Sequence, residues 1–385
     1  MKEMIERLSL FDKEKREVAL REIVNLIKNG KLRRTLEYRG YLNLHIHTFH
    51  SFNYKNWSPS RIVFEGWKTG LEFIGTVDFD TLAGLEETLY AGKLLGLKVV
   101  SGFETRVYLP ELKEKVINSP KEPGIYYLCG KGFKKQPEEG SEEWKFFKEM
   151  EEIAQKRNKR VIEKLNEYLG EVSIDYKKDV LPLTPSNNPT ERHIVVAYQK
   201  KSEKILGEKV DDFWADIFKM EKGKVEKLRK EKPEDFQELL RKKLIKYGGP
   251  GYIKPEPQNF PVFDKVVEMT EKAGGIPIGT WLDGTNPGEE NPEEFVELLK
   301  SKRIRGITII PERNWNIKDQ KEREIKVKNL HKFMEVCRKM EMPVICGTEM
   351  NKFGQPFVDN FKTEILSKYL SYFLESAEKL FFKKI

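Results

Sequence analysis

Short apolar runs alternate with longer amphipathic segments along most of this chain. The apolar runs lie near residues 41–46, 73–77, 98–102, 125–129, 276–280, 306–310 and 344–347. Between them, apolar residues recur at helical spacing, most clearly over 142–169 and 322–340. About seven strands separated by helices predict an α/β fold, with a parallel sheet closed or nearly closed into one barrel rather than two domains.

Turn and capping residues mark the ends of several helices. Ser58 followed by Pro59 predicts the start of a helix that ends at Gly70. Further helices are expected over 84–95, 194–200, 262–273, 292–300 and 360–381, and a short strand over 181–184.

Three segments outside the alternating strands and helices predict helical additions to the barrel. Residues 1–38 have the spacing of an amphipathic helix, which predicts an N-terminal helical extension. Residues 202–246 are strongly charged with a helical pattern, and we expect a helical insertion there within a barrel spanning 39–360. Residues 361–385 are expected to form a C-terminal helix packed on the barrel.

Two histidines stand at the end of the first apolar run. His45 and His47 flank one apolar residue, so on a strand both imidazoles would point to the same face. Imidazole is the commonest protein ligand for transition metals, and two rings on one face could bind a single ion. The alternative is an edge strand that carries surface histidines.

Polar residues recur just past the other apolar runs. They are Asp78, Asp80, Glu104, Glu312, Arg313, Glu349 and Asn351. In a β/α barrel the carboxyl ends of the strands form one mouth, so these side chains should converge there with the two histidines. The pattern predicts a metal or active site at the mouth.

Composition restricts the class of partner. The net charge is +8 in 385 residues, which is compatible with a phosphate-bearing substrate. No compact basic block is present, so nucleic acid is not an expected partner. Cys129, Cys337 and Cys346 form no Cys-x-x-Cys pair, and no apolar run approaches the length of a membrane span. We therefore expect a cytoplasmic protein without a membrane partner, while the oligomeric state stays open.

The motifs together resemble those of the PHP (polymerase and histidinol phosphatase) superfamily. The resemblance lies in His45-Ile46-His47, the segment 76–84 around Asp78, and Gly102-Phe103-Glu104. Later segments that match in order are 192–193, 274–277 and 347–351. The resemblance implies a distorted (β/α)7 barrel, with up to three Mn, Zn or Fe ions at its mouth, that hydrolyses phosphate esters.

Several positions depart from the pattern of that superfamily. Phe79 stands where a ligand histidine is usual, and Thr280 and Trp281 stand in place of a late histidine motif. Asn351 replaces a terminal histidine, and an early ligand position falls near Phe52 or Asn53. We therefore expect fewer than three divalent ions.

The resemblance assigns roles to individual residues. It implies five metal ligands: His45, His47, Glu104, His193 and Glu349. The alternatives are a salt bridge from Glu104 to Arg106, a buried ion pair for Glu349, and a core or surface histidine for His193.

Other residues are candidates for catalysis and substrate binding. Glu104 and Asp78 are the predicted catalytic carboxylates, with Asp78 as an acceptor that orients a histidine. The predicted phosphate contacts are Arg106, Arg192 and Arg313, each with a salt bridge as the alternative. Asn351 and His50 are further candidates for substrate contact, whereas Asp80 is expected to cap a helix and His331 to lie on the surface.

Two functions from different classes follow. The first is a metal-dependent phosphoesterase that uses metal-activated water on a small phosphorylated metabolite, sugar or nucleotide. The second is a metal-depleted barrel that acts as a non-catalytic binding or regulatory module. A nuclease is a weaker third hypothesis, because a concentrated basic cleft is not evident.

Overall fold

The structure is a computed structural model, and it describes residues 1–254, 256 and 259–383. The described chain divides into two compact units. A helical unit comprises residues 50–52 and 151–254, and a barrel unit comprises the rest of the described chain. The expected insertion at 202–246 lies inside the helical unit, which also takes in the preceding fifty residues.

Seven strands of the barrel unit form one sheet among the described residues. They are β1 Leu42–His47, β2 Phe73–Phe79, β3 Lys98–Tyr108, β4 Ile125–Lys131, β5 Ile276–Trp281, β6 Gly306–Ile309 and β7 Val344–Cys346. The strands pair in chain order from β1 to β7. A parallel bridge between Ile46 and Glu349 joins the segment after β7 back to β1. The prediction of a distorted seven-stranded barrel is confirmed.

Strand β4 runs against its neighbours, which corrects the expectation of a parallel sheet. It pairs antiparallel with both β3 and β5, whereas the other neighbouring strands pair in parallel. Between β3 and β4 the chain forms only a short 3-10 turn, Pro110–Leu112. Parallel neighbours need a crossover connection, usually a helix, and a short link without one gives an antiparallel pair.

Helices make up most of the remaining chain. They are α1 Lys2–Arg7, α2 Lys13–Lys28, α3 Pro59–Thr69, α4 Leu85–Leu95, α5 Glu142–Leu169, α6 Glu191–Leu206, α7 Val210–Phe218, α8 Lys222–Glu231, α9 Pro233–Leu240, α10 Phe263–Lys272, α11 Pro292–Ser301, α12 Glu312–Trp315, α13 Gln320–Lys339, α14 Glu364–Ser367 and α15 Leu370–Phe381. None of the helices in the described part of the chain combines the length and apolar character needed to cross a membrane.

Capping explains where α3 begins and ends. The Ser58 hydroxyl accepts a hydrogen bond from the Arg61 amide at 3.0 Å, and Pro59 occupies the first turn. Gly70 ends the helix in the left-handed conformation, at φ 87°. Both ends match the sequence prediction, because serine caps and terminal glycines act through local geometry alone.

Three predicted elements differ from the structure. The single N-terminal helix is two helices, because Asp12 caps a new helix by accepting from the Lys15 amide at 3.1 Å. The expected helix over 360–381 is likewise divided, and Thr363 caps its first part. The expected strand at 181–184 is a 3-10 turn, Leu181–Leu183.

Each unit has a hydrophobic core of its own. The barrel core brings together side chains from the strands and from helices such as α3, α10 and α13. The core of the helical unit is built around Trp214, Tyr198 and Phe236, all of which are fully buried. The strands that carry the predicted site residues pack into the barrel core.

Candidate metal centre

Strand β1 carries both histidines of the predicted site into the barrel. Every residue of this strand is buried, and His45 and His47 are 1% and 0% exposed. The His45 carbonyl accepts from the Glu349 amide at 2.7 Å, and the His47 amide donates to the Glu349 carbonyl at 2.8 Å. The closure of the barrel therefore fixes the backbone on both sides of Ile46.

Glu104 meets both histidines. Its Oε2 lies 3.2 Å from Nε2 of His47 and 3.5 Å from Nε2 of His45. One ligand atom from each of the three residues lies within 4.8 Å of the others, and all three side chains are buried. Strands β1 and β3 thus bring together residues that are more than fifty positions apart.

The geometry fits a single divalent ion. Ligands about 2.0–2.1 Å from a tetrahedral ion stand about 3.3 Å apart, close to the two separations above. Nε2 of His45 is buried and makes no hydrogen bond to any described residue. Two imidazoles and a carboxylate are also a common donor set for zinc and for non-haem iron.

The electrostatics suit ligation. Burial, and secondly the Lys131 ammonium, lower the pKa of His45 to about 4, so its ring is neutral near pH 7. Burial works to raise the pKa of Glu104, but its interactions with His45 and His47 outweigh this and hold the pKa below its ordinary value. The cluster therefore offers a neutral nitrogen from His45 and an anionic oxygen from Glu104, the protonation states that a metal requires of such ligands.

Lys131 is a site residue that the sequence analysis missed. It lies at the end of β4, is fully buried, and donates from Nζ to the Leu44 carbonyl at 2.6 Å. The same nitrogen lies 3.3 Å from Nδ1 of His45, and Thr308 Oγ1 lies 3.5 Å from that atom. Lys131 ends an apolar run and is followed by Lys134 and Lys135, so the sequence does not distinguish it from a surface lysine.

Asp78 and Phe79 flank the cluster from β2. The Asp78 carboxylate accepts from the Thr48 amide at 2.9 Å and from its hydroxyl at 2.7 Å, so it holds the chain just after β1. Phe79 stacks on His47, with ring centroids 4.3 Å apart. At the position where the superfamily usually has a ligand histidine, this chain therefore has an apolar packing contact.

Asp80 does not cap the following helix, which corrects that prediction. Its carboxylate accepts from the Thr105 hydroxyl at 2.6 Å, and its own backbone is left-handed at φ 59°. Helix α4 begins after Gly84 without a side-chain cap. The contact links the end of β2 to β3.

Glu349 forms an ion pair, as in the alternative to ligation, although only its own side chain is buried and that of Arg313 is 45% exposed. Both of its carboxylate oxygens accept from Nη2 of Arg313, at 3.0 and 2.9 Å, and Gln355 donates to it at 2.9 Å. Burial alone would raise its pKa, but Arg313 outweighs this, so the pKa is lowered. Glu349 is not one of the three clustered residues.

The other two predicted phosphate contacts also have acidic partners. Arg106 binds Glu122 at 3.1 Å, not Glu104, and Arg192 binds Glu238 at 2.6 Å within the helical unit. Glu104 is therefore engaged with the histidines rather than with Arg106. Each of the three predicted arginines therefore has a carboxylate partner.

His193 and His50 belong to the helical unit. Nδ1 of His193 accepts from the Thr190 amide at 3.0 Å, which completes a capping box at the start of α6. Burial lowers the pKa of His193 to about 4. Nδ1 of His50 lies 3.2 Å from the Ser186 hydroxyl.

The remaining departures from the superfamily pattern have structural contacts. Thr280 donates to the Tyr127 carbonyl at 2.5 Å, and Trp281 stacks on Phe333 with centroids 4.3 Å apart. Asn351 is partly buried and makes no side-chain hydrogen bond within the described chain. His331 is only partly buried and lies 2.7 Å from the Tyr369 hydroxyl.

Comparison with known proteins supports the fold. No protein-family model and no curated protein matches the sequence. A crystal structure from Bifidobacterium adolescentis, provisionally described as a metal-dependent phosphoesterase, is 16% identical with a TM-score of 0.54, over 86% of this chain and 96% of that one. An amidohydrolase from Chromobacterium violaceum, with bound sulfate and no metal, is 14% identical with a TM-score of 0.53, over 85% and 96%. At these identities the likeness shows a shared fold.

Proposed function

We propose that this chain is a divergent PHP-type protein and a metal-dependent phosphoesterase. The observation that carries the proposal is the convergence of His45, His47 and Glu104 at one buried point of the barrel, with Nε2 of His45 making no hydrogen bond there. The likeness in fold to a protein described as a metal-dependent phosphoesterase supports it. The cluster offers three protein ligands, which suits one Mn, Zn or Fe ion and leaves coordination positions for substrate.

The protein's own residues would prepare the chemistry. A divalent ion bound there would supply Lewis acidity toward a phosphoryl oxygen and toward water. Glu104 would bring negative charge that partly neutralises the ion, while the rings of His45 and His47 would offer nitrogen lone pairs. Asp78 holds Thr48 beside His47, and this limits the movement of the chain that follows β1.

Arg313 is the best candidate to bind the substrate phosphate. Its side chain is 45% exposed, and only Nη2 is used by Glu349. Nε and Nη1 make no hydrogen bond to a described residue, so they remain available to phosphate oxygens. One such arginine suits a small phosphorylated metabolite or nucleotide better than an extended nucleic acid, which needs a row of basic side chains.

Metal content and phosphatase activity test the proposal together. Elemental analysis of wild type and of the double variant His45→Ala, His47→Ala should show close to one equivalent of metal lost. A panel of phosphoesters with added Mn²⁺ should give turnover only with wild type. His331→Ala, which alters a histidine distant in sequence from the cluster, is the matched control and should keep both metal and activity.

A non-catalytic binding module is the second candidate function. Phe79 packs on His47, and Arg313 already neutralises Glu349, so two potential ligand positions are occupied by structural contacts. Metal binding without turnover on any phosphoester would favour this function. Wild type that binds no more metal than the double variant would refute the enzyme proposal.

A further inference from the structure

Strand β1 is irregular at the histidine that carries the site. Its pairing with β2 shifts register between Asn43 and Ile46, which is the mark of a β-bulge at Leu44 and His45. A bulge leaves backbone polar groups out of the ladder and turns a side chain to a new direction. The two residues within this irregularity are Leu44 and His45.

Two glycines make room for this bulge. A Cβ on Gly75 of β2 would lie 2.9 Å from Leu44 Cα and 3.0 Å from the Leu44 carbonyl oxygen. A Cβ on Gly347, just past β7, would lie within 2.5 Å of His45. The bulged backbone therefore occupies the space that side chains of the two neighbouring strands would take.

Side chains satisfy the backbone groups of the bulge. The His45 amide donates to Oδ1 of Asn43 at 3.1 Å. The Leu44 carbonyl accepts from Nζ of Lys131 at 2.6 Å, and the same Nζ lies 3.3 Å from Nδ1 of His45. One ammonium group thus contacts both the bulged backbone and the His45 ring.

A lysine in this position needs an explanation beyond packing. Its side chain is 0% exposed, and withdrawing an ammonium group from water costs several kcal/mol unless partners compensate. Methionine has a similar length and would fill the same space without that cost. What methionine lacks is the hydrogen bond to Leu44 and the contact with His45.

We propose that Lys131 is a positioning residue, which holds the bulge of β1 so that Nε2 of His45 faces Glu104 and can take a divalent cation. This inference rests on the proposed metal site for its purpose. The position of the ring itself can be tested without metal.

The test compares Lys131→Met with wild type in metal-free protein. Histidine-selective ¹⁵N labelling gives ring signals for five histidines, and His45→Gln identifies those of His45. Lys131→Met should shift the His45 ring signals and leave those of His331 in place. The matched control, Lys326→Met, removes a lysine that pairs with Asp283 and should leave the His45 signals unchanged.

Cobalt binding then relates ring position to the cation. Lys131→Met should bind Co²⁺ at least tenfold more weakly than wild type in competition with a chelator, with an altered visible spectrum. Gly75→Ala, which presses on the bulge from β2 without removing charge or ligand, should alter the spectrum in the same direction. Wild type that binds no Co²⁺ would refute the proposed function, while the metal-free ring signals would still decide the role of Lys131.

Two results would overturn the proposed role of Lys131. Unchanged His45 ring signals and unchanged Co²⁺ affinity in Lys131→Met would overturn it. If that variant does not fold, a measurement on wild type tests the contact instead. The Lys131 Cε protons should show a nuclear Overhauser effect to the His45 ring. Absence of that effect in wild type would overturn the inference as well.

Discussion

Asp359 is a buried carboxylate whose protonation should change the stability of the barrel unit. It is 4% exposed, and its Oδ1 accepts from Trp315 Nε1 at 2.9 Å and from the Asn360 amide at 2.7 Å. Oδ2 is buried and accepts no hydrogen bond from a described residue. Burial, with these bonds working against it, raises the pKa of Asp359 to about 6.

The sign of the pH dependence follows from that shift. The folded protein holds a proton on Asp359 up to about pH 6, whereas the unfolded chain releases it near the ordinary aspartate pKa of 3.8. Stability therefore falls as pH rises through this window. Asp359→Asn removes this titrating group. The free energy of unfolding of the variant, relative to that of wild type, should therefore rise by up to about 3 kcal/mol from pH 4 to pH 6 and stay level above pH 6.

Urea unfolding of both proteins at several pH values measures this difference. Asp12→Asn is the control of opposite sign, because Asp12 caps α2 in solvent and its pKa is lowered, first by the Lys15 amide. A stability difference between Asp359→Asn and wild type that does not change with pH would show that the pKa of Asp359 is the same in the folded and unfolded protein, which would contradict the raised pKa.

Residue-level prediction from the sequence succeeded where partners are close in sequence or belong to one motif. The two histidines share a strand face, and Glu104 ends a neighbouring apolar run, so a site containing all three could be predicted. Ion-pair partners could not be predicted in this way. Arg313 and Glu349 are 36 positions apart and meet only because β6 and β7 lie side by side.

Among the elements, the junction between β7 and β1 depends on a glycine. Gly347 donates to the Ile309 carbonyl at 3.1 Å, and a Cβ there would lie 2.4 Å from the His45 amide nitrogen. The two nearest obstructing atoms are the His45 amide nitrogen and Cβ, and neither can rotate away because the backbone fixes both. Gly347→Ala should therefore lower the free energy of unfolding by about 2 kcal/mol or more, and should also disturb metal binding.

Chemical unfolding and metal titration of Gly347→Ala check this prediction. Gly223→Ala in α8 is the control, since a Cβ there would meet only one atom, Glu221 Oε1, at 3.8 Å. That control should equal wild type or exceed it slightly, because alanine favours a helix over glycine. Wild-type stability in Gly347→Ala would contradict the close approach of the two backbones.

The ends of several helices could be predicted from nearby capping residues, whereas the direction of a strand could not. Caps and terminal glycines act within a few residues, so the limits of α3 and α11 could be read closely from the sequence. The divided N-terminal helix reflects a cap at Asp12, which an apolar pattern alone does not reveal. The C-terminal helix is divided between Ser367 and Leu370, where no side chain caps the second part. The direction of β4 depends on how it pairs with its neighbours. An apolar run does not indicate whether that pairing is parallel or antiparallel.

For the whole molecule, two separate hydrophobic cores predict two unfolding transitions. Trp214 is fully buried in the helical unit, and Nε1 donates to Ser202 at 2.9 Å. Trp214→Ala should destabilise that unit by about 3–5 kcal/mol. It should lower the midpoint of one calorimetric transition and leave both the other transition and the metal content unchanged.

Phe263→Ala is the counterpart in the barrel unit, where Phe263 is fully buried in α10. It should lower the other transition. A single transition that both substitutions lower equally would show that the two units unfold as one, and would contradict the prediction from separate cores.

The sequence by itself determined most of the elements, the barrel class and the histidine pair with Glu104, because periodicity and motif spacing act along the chain. Tertiary structure alone decided which polar groups meet. Lys131 and His45 are 86 positions apart, and their contact requires both the reversed β4 and the bulge in β1. The sequence does not distinguish a buried lysine from an exposed one. Only the tertiary packing shows that the lysine is buried and which partners compensate for the desolvation of its ammonium group.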